Sequence, residues 1–186
     1  MKKLAFAALA ATGLLVLSAC AASKISFADW KKKADACEDV AYKTATLKVD
    51  VKSDTNGSKD SEKETYTYTY GDNGWVADQE AGATYVMAIG GQAKNSFMTD
   101  PNTDDNHVYT FYSDLSVKAH TYDEMSVLGQ SMKITSDSKY SFNSNGYVVK
   151  VTFKSVVEYE TTGVLASLVE SGSSTESGSY SISYAK

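Results

Sequence analysis

Apolar residues recur along this chain with three different spacings, and each predicts a different kind of segment. Behind Lys2 and Lys3, positions 4 to 17 contain no charge at all. Residues 26 to 42 then place Phe27, Trp30, Ala34, Cys37 and Ala41 at helical intervals, with lysines and acids filling the other side. Ser26 suits the cap of that helix and Asp29 its positive first turn. From Thr44 the period drops to two: Ala45, Leu47, Val49 and Val51 alternate with polar residues, which is the pattern of a strand with one buried face. "ETYTYTY" sets Tyr66, Tyr68 and Tyr70 on one face and threonines on the other, and "WVAD" after the turn "GDNG" predicts a returning partner.

Later segments continue the strand pattern less evenly. Residues 53 to 61 and 170 to 179 are polar and read as a turn and a loop. Residues 79 to 99, broken by Gly90 and Gly91, read as irregular with a short strand. Strands are predicted at 107 to 112, 115 to 121 and 131 to 135. "KYSFNSNGYVVKVTFKSVVEYE" predicts a hairpin joined at residues 143 to 146, because Asn-Gly favours the positive φ of a tight turn. Tyr180, Ile182 and Tyr184 close the series. The expected fold class is α+β, mostly β: one N-terminal amphipathic helix packed on a curved antiparallel sheet of about eight strands.

The uncharged run at the start is too short for a membrane span, which needs about 20 apolar residues, and has the form of a secretory leader. It ends in Leu17, Ser18, Ala19 and Cys20, an order that resembles the bacterial lipobox. The resemblance implies cleavage before Cys20, diacylglyceryl attachment to its thiol, and palmitate-type acyl chains that anchor the protein to a membrane outside the cytoplasm. On this reading residues 1 to 19 are the lipoprotein signal peptide, 20 to 25 a lipidated tether, and 26 to 186 a single β-rich domain.

Charge changes the picture in two ways. All 18 basic residues are lysine, and loss of Lys2 and Lys3 leaves 16 against 23 acidic groups, so the mature chain carries about −7. A net negative chain without arginine argues against nucleic acid and against a polybasic grip on anionic lipid. With Cys20 acylated, Cys37 has no internal disulfide partner and is expected as a buried thiol on the helix stripe.

The element order, together with the late hairpin "YSFNSNGYVVKVTF", resembles the half-barrel envelope lipoproteins typified by LolA, LolB and the LppX and LprG group. That resemblance covers the mature domain in outline. It implies a sheet whose concave face, closed by helices, holds acyl chains, and it transfers no individual binding residue.

Conventional catalytic patterns are thin. His107 and His120 are the only histidines and neither stands in a metal-binding or triad motif. Asp100, Asn102 and Asp104 have calcium-loop spacing, but the sixth position is Asp105 instead of glycine and the twelfth is Phe111 instead of glutamate. No metal site, cofactor or catalytic residue is therefore predicted. The 13 tyrosines offer amphipathic surface, and Tyr66, Tyr68, Tyr70 and Trp75 are the candidate ligand-binding residues. The function expected is that of a non-enzymatic, membrane-anchored extracytoplasmic lipoprotein binding a lipid or other amphipathic ligand on its sheet. The alternatives are a structural or protein-interaction lipoprotein with a solid core and, third, a hydrolase or metal-dependent enzyme.

Overall fold

The computed structural model describes residues 22–102, 104–127, 130–161 and 171–186. The leader and Cys20 lie outside the described residues. The rest is mostly β, a nine-stranded antiparallel sheet that does not close on itself.

Strands are numbered along the chain as β1 (Lys24–Ile25), β2 (Thr44–Thr55), β3 (Ser58–Gly71), β4 (Gly74–Ala77), β5 (His107–Tyr112), β6 (Val117–Val127), β7 (Gln130–Phe142), β8 (Val148–Thr161) and β9 (Gly172–Ala185). Their spatial order is β1-β5-β6-β7-β8-β9-β2-β3-β4. Two meanders, β5 to β9 and β2 to β4, thus meet where the last strand pairs with the first long one.

Polar segments that read as loops in the sequence are strands here. Residues 53 to 61 continue β2 into β3 through a two-residue turn in which Asn56 and Gly57 take φ of 51° and 86°, the double positive-φ geometry that matches strand twist. The serine-rich stretch at 172 to 179 forms the first half of β9. It is held from both sides by the ladders to β2 and β8, so its extension is imposed by its neighbours more than by its own composition. Gly178 is needed there: a Cβ would lie 2.3 Å from the Asp50 carbonyl oxygen and 2.9 Å from Val51 Cα.

The helix α1 (Phe27–Asp35) is capped by Ser26, whose Oγ accepts from the Asp29 amide at 3.1 Å. It is shorter than the spacing of residues 26 to 42 predicts. Beyond Ala36 the chain is drawn out by tertiary contacts: the Tyr147 hydroxyl donates to the Val40 carbonyl at 3.0 Å, and Tyr42 stacks on Tyr184. Lys24 and Ile25, in the stretch read as tether, pair with Tyr112 and Phe111. Residues 79 to 99 hold a 3₁₀ helix (Glu80–Ala88) and the short α2 (Ala93–Ser96) in place of a strand. No helix among the described residues is long and apolar enough to cross a membrane.

Alternation gives the sheet one apolar and one polar face. Ala45, Leu47 and Val49 are buried on the first, against Tyr66, Tyr68, Ile89 and Ile182. A second cluster lies under α1, where Trp30 and Ala34 meet Ala93, Phe111, Leu115 and Val117. Trp30 is fully buried and its indole N–H donates to the Leu115 carbonyl at 2.8 Å, which fixes the helix to the β5–β6 turn. The 3₁₀ helix and α2 cover the apolar face between the two clusters.

Candidate functional site

Where the covering segments leave the sheet, a pocket of about 400 Å³ opens on the apolar face. Its floor is one cross-strand row, since the register puts Val117 opposite Tyr140 and Tyr140 opposite Val151. Phe142 and Val148 extend the floor past the irregularity at the end of β7. Phe97, just after α2, forms one wall and meets Tyr109 edge-on at 5.4 Å. The other wall is Met87, Ala88 and Gly91, from the 3₁₀ helix and the link to α2.

Among the described residues no charged side chain lines this pocket, and its side-chain polar groups are the Ser96 hydroxyl and the tyrosine hydroxyls. Burial pushes the Tyr109 phenol above its ordinary value, so it stays neutral. An unpaired charge placed here loses its water without gaining a partner, whereas an apolar group gains contact area. The volume falls at the small end of the range for small-molecule sites. At the rim Met87 is almost wholly exposed, an unbranched side chain able to repack around different shapes.

The four aromatic residues singled out in the sequence lie elsewhere. Tyr66 and Tyr68 are buried in the first core cluster, which leaves them no surface to offer a ligand. The Tyr68 hydroxyl donates to the Gly82 carbonyl at 2.9 Å and its phenol is pushed up to about 12 by burial. Trp75 is part-buried against Tyr184 and beneath Gly90, where a Cβ would approach its ring nitrogen to 2.4 Å. Tyr70 is half-exposed and packs edge-on against Trp75 at 5.2 Å.

Tyrosine hydroxyls do have a common task in this chain. Tyr68 ties down the 3₁₀ helix, the Tyr184 oxygen accepts the Gly90 amide at 3.1 Å, and Tyr147 holds Val40. Each buries its ring and spends its polar end on the backbone of a segment outside the sheet. The tyrosine content thus builds the layer that shapes the pocket.

The remaining candidates are engaged in local structure. His107 bridges two carboxylates, Nδ1 to Asp104 at 3.0 Å and Nε2 to Asp123 at 3.2 Å. The hydrogen bond to Asp104 chiefly raises its pKa. His120 Nδ1 lies 2.8 Å from Asp137 on the polar face. Asp100 accepts from Asn102, Asn102 accepts the Tyr109 amide, and Asp104 accepts the Asn106 and His107 amides, so these oxygens cap backbone and do not converge. Among the described residues no group of three metal-ligating side chains comes together. Cys37 is part-buried beside Gly146, and desolvation raises its thiol pKa. Comparison of the chain with protein-family models, with curated proteins and with solved structures gives no match.

Proposed function

We propose that this chain is a non-enzymatic lipoprotein, anchored outside the cytoplasm through a lipidated Cys20, that binds an apolar or amphipathic small ligand on one face of its sheet. The leader and the Leu-Ser-Ala-Cys sequence support the anchor. The observation that carries the binding role is the pocket over the Val117–Tyr140–Val151 row, lined mainly by apolar side chains, with Met87 at its rim. Of the residues named in the sequence reading none lines it, so the proposed contacts are Phe97, Tyr109, Val117, Tyr140, Phe142 and Val151.

Native mass spectrometry of the gently extracted protein tests this reading. A bound lipid-sized ligand is expected as added mass beyond the covalent anchor. Val151→Trp, which fills the pocket floor from a part-buried position, is expected to remove that mass while leaving the strand spectrum intact. Ligand-free wild type, or a ligand retained equally by V151W, overturns the assignment.

A further inference from the structure

The strand lysines among the described residues all lie on one face of the sheet, which also carries Asp54 opposite Lys59, Glu124 and Glu158 on either side of Lys133, and Glu160 opposite Ser131. The register places Lys118 directly opposite Lys139, sets Lys154 and Lys52 on either side of Ser177, and sets Lys150 and Lys48 on either side of Ser181. All six are exposed and point away from the pocket. Within these three cross-strand rows the acids among the described residues are Asp50 and Asp137. Asp50 pairs with Lys63 at 3.0 Å and Asp137 with His120. On the opposite face the strands carry Glu62, Glu64, Asp123 and Glu176, and no lysine among the described residues. The chain's net charge of −5 therefore conceals a lysine-rich region in these rows, where the exclusion of a grip on anionic lipid drawn from net charge does not apply.

That face is built at a cost. Like charges set directly opposite across a strand pair destabilise it, as Lys118 and Lys139 are, and among the described residues none of the six lysines has an ion-pair partner within 4.0 Å. Between Lys118, Lys139, Thr152 and Lys154 the surface dips into an open depression of about 520 Å³, with hydroxyl and ammonium donors around it and one carboxylate, Asp137, engaged by His120. Such an array offers charge and hydrogen bonds to phosphate oxygens.

We propose that this lysine face is a docking surface for an anionic phospholipid bilayer. The inference rests in part on the anchor reading above: the four peptide links from Cys20 to Lys24 span at most about 14 Å when fully extended. Lys24 lies at the edge of the same face, paired with Tyr112, over whose ring sits the Lys118 Nζ at 5.8 Å. An acylated Cys20 holds the lysine face within reach of the headgroups. The face then lies on the membrane and leaves the pocket side turned away from it.

The test uses the mature chain, residues 20–186 made without the leader and with Cys20→Ala, so that neither leader nor lipid anchor contributes, and measures sedimentation with vesicles of phosphatidylglycerol and phosphatidylcholine or of phosphatidylcholine alone. Preferential binding to the anionic vesicles is expected, lost at high salt, because each lysine near such a surface contributes about fivefold in affinity. Changing Lys118, Lys139, Lys150 and Lys154 together to glutamate is expected to lower binding at least about a hundredfold on the same scale, whereas E62Q/E64Q on the other face leaves it unchanged. Equal binding to both vesicle types, an unaffected quadruple variant of native circular dichroism, or capture by soluble polyphosphate in place of vesicles overturns the proposal. Membrane fractionation of the wild type against Cys20→Ala reports on the anchor separately, so either reading can fail while the other stands.

Discussion

Removing the indole of Trp30 is the sharpest probe of how the covering layer is held. The helix α1 has nine residues, too few to be stable alone, so its place depends on what it buries. Trp30 packs against Phe27, Phe97, Phe111 and Phe142 with ring centroids 5.1 to 6.4 Å apart and donates to Leu115. Trp30→Ala loses the ring and opens a cavity, a change that costs about 3–5 kcal/mol in well-packed cores. It also strands the buried Leu115 carbonyl. Trp30→Phe keeps most of the ring and loses mainly the hydrogen bond, which costs about 1–3 kcal/mol. Equilibrium urea unfolding, followed by circular dichroism, is expected to rank wild type above W30F and W30F above W30A. Because Phe97 and Phe142 line the pocket and lean on Trp30, ligand occupancy is expected to fall in the same order. A W30A protein within about 0.5 kcal/mol of wild type, the level of an ordinary surface change, refutes the reasoning. So does a W30F as damaging as W30A.

Two further outcomes follow from single atoms. Gly178→Ala forces a Cβ into the backbone of β2 and is expected to destabilise the fold by about 1–3 kcal/mol; an unchanged urea midpoint would show that β2 and β9 are not so close. The His107 ring is expected to titrate by NMR above its ordinary value, and Asp104→Asn to bring it down. Since the folded value is the raised one, the stability from this pair is complete below about pH 6.5, the unfolded value, and is lost as pH climbs through the folded one. A His107 midpoint indifferent to D104N contradicts the bridge.

What could be read in advance was local chemistry. Ser26 as a cap, the alternation at Ala45 to Val51, and the Asn145–Gly146 turn each signal their conformation within a few residues. Asn56–Gly57 carries the same turn signal, but it sits in a run of exposed polar residues with no apolar alternation to flag the strands on either side. The first half of β9 is harder still, because serine and glycine are extended there through pairing with β8 and with β2, the latter more than a hundred residues away. The helical stripe overshoots because Cys37 and Ala41 keep the period while Tyr147 and Tyr184 draw the backbone away. The pocket was the least legible: its lining comes from the covering segments and four strands, and Phe97, Tyr109 and Tyr140 have no spacing in common. Tyr66 and Tyr68 advertised an aromatic surface, but the sequence does not say that the 3₁₀ helix lies across it.

The meeting of β2 with β9 also sets the timing of assembly. The final fourteen-residue strand is the seam between the two meanders, flanked by β8 on one side and β2 on the other. A chain in which β9 has not yet been made has two half-sheets and nothing to stitch them. Each half leaves an unsatisfied ladder and an open aromatic surface until residues 172–185 pair with both, so the complete sheet waits for a contact between segments more than a hundred residues apart.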